Sequence, residues 1–227
     1  MDPQEYNISL SLRIRRPITK TVIRWLFKLM SQIKVTGLEN IPRGLPYVVA
    51  INHVSIFDPP LVLCLWPEMM EGIGGADVFD KPIQGDLLRL YGAIPVRRGE
   101  YDRALIDTIL AVLRSGRPLM IAPEGTRSHG SGLQEAKPGV AYILDEARVP
   151  VVPVGLVGTT DDVLKRVRRL QRPLLEMRIG KAFTLPPIKG SGAARREARQ
   201  GNADTVMQHI ARLLPPEYRG VYALPAA

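Results

Sequence analysis

The sequence has 227 residues, 45% of them apolar and 23% charged, with 20 Gly and 20 Pro. That suffices for one buried core with an appended element, and it excludes disordered, collagen-like and solenoid chains. A net charge of +9 favours phosphate-bearing partners without choosing among lipid, nucleotide and nucleic acid, while the single Cys64 excludes an internal disulfide framework and fits a reducing compartment.

Residues 1–12 show no pattern, and their opening lacks the basic-then-apolar form of a signal peptide. No apolar run nears the roughly 20 residues needed to span a bilayer. Residues 17–34 predict an amphipathic helix. Val22, Leu26, Leu29 and Ile33 fall on one line, flanked by Trp25, Met30 and Ile23, with Lys20, Arg24, Lys28 and Ser31 opposite. Seven basic residues against two acids in residues 1–34 give this end a basic character. Two placements fit: an interfacial membrane anchor, or a surface helix packed on its own domain with its basic face in water.

Four apolar, non-alternating runs follow, at residues 47–51, 118–122, 149–157 and 174–179, as expected of strands covered on both faces. Helical patterns lie between them at about residues 60–66, 81–90, 102–114 and 138–147. The alternation predicts an α/β fold with a mostly parallel central sheet covered by helices, preceded by the N-terminal amphipathic element. Residues 189–201 have the composition of a solvated loop or helix start. A last helix is expected over about 203–214, followed by a poorly ordered tail. The domain division is therefore 1–34, 35–188 and 189–227.

Of three histidines, only His53 ends a buried strand with a carboxylate close behind, in Asn52-His53-Val54-Ser55-Ile56-Phe57-Asp58-Pro59. On a continuous helix, residues five apart point away from each other. Pro59 disfavours the α region at Asp58, however, and suits the first turn of a new helix for which Asp58 would be the N-cap. A tight turn can then return the Asp58 carboxylate to the His53 ring, giving a general base oriented by an acid; the same two residues could instead merely cap local structure. Ser55 lacks the surroundings of a nucleophile elbow, and Cys64 falls inside an apolar helix. A second segment, Pro123-Glu124-Gly125-Thr126-Arg127-Ser128, follows a buried strand where α/β proteins bind ligands; an ordinary polar turn is its bland alternative. A third, Gly92-Ala93-Ile94-Pro95-Val96-Arg97-Arg98, ends in two arginines that could contact an anion.

Taken in order, these three segments resemble the catalytic blocks of the glycerolipid acyltransferases, typified by 1-acylglycerol-3-phosphate acyltransferases. The strand Val151-Val152-Pro153-Val154 and Lys137-Pro138-Gly139 match further family features, so the resemblance spans about residues 35–185. It implies that His53 deprotonates an acceptor hydroxyl while Asp58 holds the ring. The acyl group would come from acyl-CoA or an acyl carrier protein, without cofactor or metal. It further implies that Arg98, Glu124, Gly125, Thr126 and Arg127 bind a lysophospholipid acceptor, 1-acylglycerol-3-phosphate first among them. It shifts the 17–34 helix to the membrane reading: a peripheral protein on the cytoplasmic face of a membrane rich in anionic lipids. One departure stands out: Gly74-Gly75-Ala76-Asp77-Val78-Phe79 lacks the lysine many family members carry there, leaving Lys81 or Arg97 as possible substitutes and the acceptor open.

Three other functions compete: a thioesterase or lipid esterase using the same dyad, a non-catalytic lipid-binding protein, and, most distantly, a nucleic-acid binder. Nucleic acid is disfavoured because aromatics make up only 6% of the chain and are not interleaved with the basic residues. The basic run Lys165-Arg166-Val167-Arg168-Arg169, with Arg172 behind it, could bind lipid headgroups or CoA phosphates, although a solvated face is the more ordinary reading of such a run.

Overall fold

Apolar strands alternating with helices assemble into one sheet in the order β1-β7-β6-β2-β5-β3-β4. The computed structural model describes residues 6–97, 99, 102–128, 130, 132–160 and 162–223. The strands are β1 Gln32–Thr36, β2 Val48–Ile51, β3 Glu71–Gly75, β4 Ile94–Val96, β5 Leu119–Ile121, β6 Val151–Val157 and β7 Leu174–Ile179. The helices are α1 Leu10–Met30, α2 Asp58–Leu65, α3 Ala76–Phe79, α4 Gln84–Tyr91, α5 Arg103–Arg114, α6 Gly139–Ala147, α7 Val163–Arg168 and α8 Gly192–Ala211.

Among the described residues every strand pairing is parallel except β6 with β7, so the expected mostly parallel α/β sheet is what forms. The one reversal has a consequence for the site. It brings the starts of β7 and β1 to the same edge as the ends of β2, β5 and β6, and this is the edge on which His53 stands.

All four residues of β2 are buried, and they alternate between two cores. Val48 and Ala50 meet Ile109 of α5, Val140 of α6 and Val206 of α8 on one face. Val49 and Ile51 meet Val62 and Trp66 of the α2 region on the other. α1 lies outside α2 on that second face, where Phe27 joins Leu61, Cys64, Val163 and Leu175.

The N-terminal helix corrects the sequence reading twice. Ser9 caps it by accepting from the Leu12 N–H, so it begins at Leu10, before Pro17, and residues 32–34 belong to β1. More important is its orientation. Leu10, Ile14, Ile18, Val22, Trp25, Leu26 and Leu29 face outward, with Leu29 75% exposed, whereas Arg16 and Lys20 are buried. Arg16, Lys20 and Arg24 turn inward because they find acceptors there, while Arg13, Arg15 and Lys28 stay exposed. The Lys20 ammonium donates to the carbonyls of Trp66 (2.5 Å) and Glu68 (3.0 Å), and Arg24 Nε donates to the Cys64 carbonyl (2.7 Å). These carbonyls close the C-terminal end of α2, where cations are favoured. A helix packed by its apolar face with solvated cations is thereby overturned.

Two boundaries shift at the C-terminus. Of the two readings for residues 189–201 the helix start is what forms: α8 begins at Gly192, earlier than the expected 203, and ends at Ala211. Beyond Pro215 the chain forms two 3-10 turns, Pro216–Tyr218 and Gly220–Tyr222, with Tyr218 buried. They stay in place because Leu133 N–H donates to the Tyr218 carbonyl and Val221 N–H to the Leu133 carbonyl.

Candidate active site

The site starts from a buried strand end. Asn52 follows β2 and spans to β6, donating from Nδ2 to the Leu156 carbonyl (3.0 Å) and accepting from the Leu156 N–H (2.7 Å). This two-way amide clamp fixes where β2 stops and places His53 just beyond it. The His53 backbone is then held on both sides: its N–H donates to Glu124 Oε1 (2.9 Å), and its carbonyl accepts from the Ser128 N–H (2.8 Å).

The turn closes as the spacing predicts. Asp58 Oδ2 lies 3.1 Å from His53 Nδ1 and also accepts the N–H groups of Val54 (2.7 Å) and Ser55 (2.6 Å). Asp58 is fully buried, and Oδ1 has no hydrogen-bond partner among the described residues. The His53 side chain keeps 17% exposure. With Nδ1 committed to the carboxylate, Nε2 is the ring nitrogen left for a substrate. Asp58 is the first residue of α2 and not its N-cap; Phe57 holds that position. The carboxylate therefore bends back over residues 53–55 instead of capping the helix ahead. Two potential nucleophiles are disposed of by the same geometry. Ser55 is buried with its hydroxyl accepting from the Phe57 N–H, and the Cys64 thiol, donating to the Leu61 carbonyl, is pushed up to about 12 by burial.

The loop of residues 123–128 supplies support and surface in alternation. Glu124 is buried, with Oε1 on His53 N–H and Oε2 on Gln134 N–H (2.9 Å). Burial raises its carboxyl above the usual carboxylate range, although the two N–H donors pull the other way. Both oxygens being occupied by backbone, Glu124 ties the His53 strand end to the loop behind it. Gly125 adopts φ +72°, where a Cβ would lie 3.0 Å from Lys137 Cγ. Gly125 and Thr126 are exposed and Arg127 is half-buried, all within the loop that touches the His53 backbone through Ser128. Arg98, the remaining site residue named from the sequence, lies outside the described residues, as do His129 and the chain after Ala223. His209 stacks on Phe183 at 3.8 Å between ring centroids, a packing role away from the dyad.

Sequence reasoning missed one part of this site, the C-terminal strap. Tyr222 donates to Asp204 (2.7 Å) and accepts from the Ala136 N–H (2.9 Å), while Tyr218 accepts from the Gly158 N–H (3.1 Å). Two tyrosines four apart after Pro215 were the available signal.

Comparison with known proteins agrees with this architecture. The family model described as Acyltransferase matches residues 32–157. A chloroplastic 1-acyl-sn-glycerol-3-phosphate acyltransferase of Arabidopsis thaliana is 32% identical over 56% of this chain and 36% of its own. The human alpha form of that enzyme is 25% identical over 75% of this chain and 59% of its own. A lyso-ornithine lipid O-acyltransferase of Pseudomonas aeruginosa is 34% identical over 65% of this chain and 57% of its own. The matches thus span between 36% and 59% of these relatives' lengths. In fold, the chain is similar to the crystal structure of the 1-acyl-sn-glycerophosphate acyltransferase PlsC of Thermotoga maritima. That likeness has a TM-score of 0.57 at 24% identity and covers 86% of this chain and 78% of the other. With more than half of its length matched by the family model, the chain belongs to the acyltransferase family.

Proposed function

We propose that the protein is an O-acyltransferase that moves a fatty acyl group from a thioester, acyl-CoA or acyl carrier protein, to the hydroxyl of a lysophospholipid, 1-acylglycerol-3-phosphate first among them. The observation that carries this reading is the His53–Asp58 contact at a buried strand end: a partly exposed imidazole oriented by a fully buried carboxylate.

In this mechanism Nε2 of His53 takes the proton of the acceptor hydroxyl as its oxygen attacks the thioester carbonyl. Asp58 holds the Nδ1–H tautomer and stabilises the imidazolium that forms. Collapse of the tetrahedral intermediate breaks the C–S bond, and the imidazolium returns the proton to the departing thiolate. Thr126, Arg127 and Arg98 would receive the anionic part of the acceptor, with Glu124 as a positioning residue that holds the His53 N–H. The exposed apolar stripe of α1 is the membrane contact, on the cytoplasmic face, and the lipid acceptor enters from that side. No described helix is long and apolar enough to cross a bilayer, so the contact is peripheral in this reading.

A second acceptor is favoured by one observation. Residues 74–79, at the end of β3 and in α3, carry no cation, and the Pseudomonas relative is named for a lyso-ornithine lipid. A hydroxyl on a phosphate-free lysolipid would need no lysine there. Offering the protein lysophosphatidate and a lyso-ornithine lipid, each with acyl-CoA or acyl carrier protein, and identifying products by mass spectrometry decides between them. Thiol release that proceeds equally without any lysolipid would show hydrolysis and reject transfer altogether.

A further inference from the structure

We propose that the basic turn at residues 166–172, with Leu170 at its tip, is a second bilayer-insertion point that seats the catalytic edge of the sheet on an anionic phospholipid surface. This rests on reading α1 as a membrane contact and specifies which edge of the molecule meets the lipid.

Leu170 breaks two rules at once. It is a non-glycine residue at φ +57°, and it is 93% exposed. Glycine would hold that backbone with less strain, and a polar side chain would suit water better. Strain kept at an exposed apolar residue points to a contact outside the chain.

Its surroundings define the contact. Lys165, Arg166, Arg168, Arg169 and Arg172 fall within eight residues that contain no acid. The turn is also fastened to the membrane helix. Arg172 Nη2 donates to the carbonyls of Lys28 (2.6 Å) and Ser31 (2.9 Å) at the C-terminal end of α1. On the inner side, Val163 and Val167 of α7 pack in the cluster that holds Phe27 and Ile23. Leu170 is thus two residues from a contact with the end of α1, the helix on whose last turns Trp25 is 68% and Leu29 75% exposed. It precedes β7, whose start lies on the edge where β2 delivers His53, and Phe27 meets Phe57, the neighbour of Asp58, with ring centroids 6.4 Å apart.

Charge complementarity selects the occupant. A leucine ringed by cations matches an anionic interface, the side chain entering the acyl boundary while the arginines meet phosphates. Phosphates of CoA would use the cations but not the leucine. Ile83 offers a contrast: φ +67° and 74% exposed, but with Asp80 and Asp86 outnumbering Lys81 around it in sequence.

The test is co-sedimentation of the full chain with phosphatidylcholine vesicles and with vesicles containing phosphatidylglycerol. Leu170→Gly relieves the strained backbone, so its Tm should be no lower than that of the parent. Its vesicle binding should nevertheless fall about tenfold. Arg168→Glu with Arg169→Glu should remove the preference for phosphatidylglycerol. Parent-like binding by both variants overturns the proposal, as does a raised KM for acyl-CoA with vesicle binding unchanged. Ile18→Asp with Val22→Asp separates the two readings. If it alone loses binding, only the turn is excluded; if it too binds like the parent, the membrane role of α1 falls as well.

Discussion

Two fully buried carboxylates stand at opposite edges of the sheet, Asp58 and Glu71, and they spend their charge differently. Asp58 gathers partners from within five residues: His53, Val54 and Ser55. Glu71 gathers partners from across the chain: Arg16 through paired contacts of 2.6 Å, Tyr6 at 2.8 Å and Arg117 at 2.9 Å. A buried carboxylate must be compensated in either case. At Glu71 both oxygens are engaged and two guanidiniums neutralise the charge, which pins α1 to β3. At Asp58 a single oxygen carries all three contacts, and the cation it can complement is one that forms only when His53 takes a proton. Full neutralisation makes a fastening, whereas incomplete neutralisation beside the His53 ring is what the proposed general base calls for.

The largest effects should come from the catalytic edge. His53→Ala should lower acyl transfer about a thousandfold with Tm nearly unchanged, because the backbone contacts of residue 53 remain. Asp58→Asn should cost comparable activity. It should also cost about 1–3 kcal/mol of stability, since an amide nitrogen must now face backbone N–H groups or the ring. Steady-state rates beside urea unfolding check both. If Asp58→Asn lost stability yet kept its rate, the two carboxylates would be alike and the general-base reading would be lost.

Glu71→Gln should show the reverse pattern: about 3–5 kcal/mol of stability lost, because Arg16 is left buried with its charge unmatched, but an ordinary rate per folded molecule. Its pH dependence gives a sharper check. Burial pushes the Glu71 carboxyl up, but Arg16, Tyr6 and Arg117 more than offset this and hold it below its ordinary value. A depressed native value means the contribution is complete above the unfolded value of about 4.3 and is lost as pH falls toward the native one. Unfolding curves of parent and Glu71→Gln should therefore converge on acidification below about pH 4. A gap that stayed constant would mean that Glu71 is not acting through its charge.

The same contrast explains what could be read from the sequence. The Asp58 turn was legible because its parts are neighbours, with Pro59 marking the break between strand and helix. The Glu71 fastening was not, because Arg16 lies 55 residues away and Tyr6 65. Its strand, Glu71-Gly72-Ile73-Gly74-Gly75, is poor in strand formers and exists through its pairing with β4 and β5. Periodicity revealed that α1 has two unlike faces. Which face turns inward depended on the unsatisfied carbonyls ending α2, a tertiary fact. Gly192, Gly201 and a run of charged residues left loop and helix start equally open for the beginning of α8.

The smallest effect should come from the strap, and it tests whether support behind a site can be told from the site itself. Tyr222→Phe removes a donor to Asp204 and strands the Ala136 N–H, for about 1–2 kcal/mol. Ala136 is two residues from Gln134, whose N–H holds Glu124 Oε2, while Glu124 Oε1 holds the His53 N–H. Loosening should therefore travel down this chain and weaken at each step. A few-fold fall in kcat with KM unchanged is expected, along with faster hydrogen exchange at Ala136 and Gln134. Exchange at Val54 and Ser55 should not change, because Asp58 holds those amides independently of the strap. If their exchange accelerated equally, the whole edge would be opening as one unit, and Asp58 would not be the self-contained arrangement that its short-range partners imply.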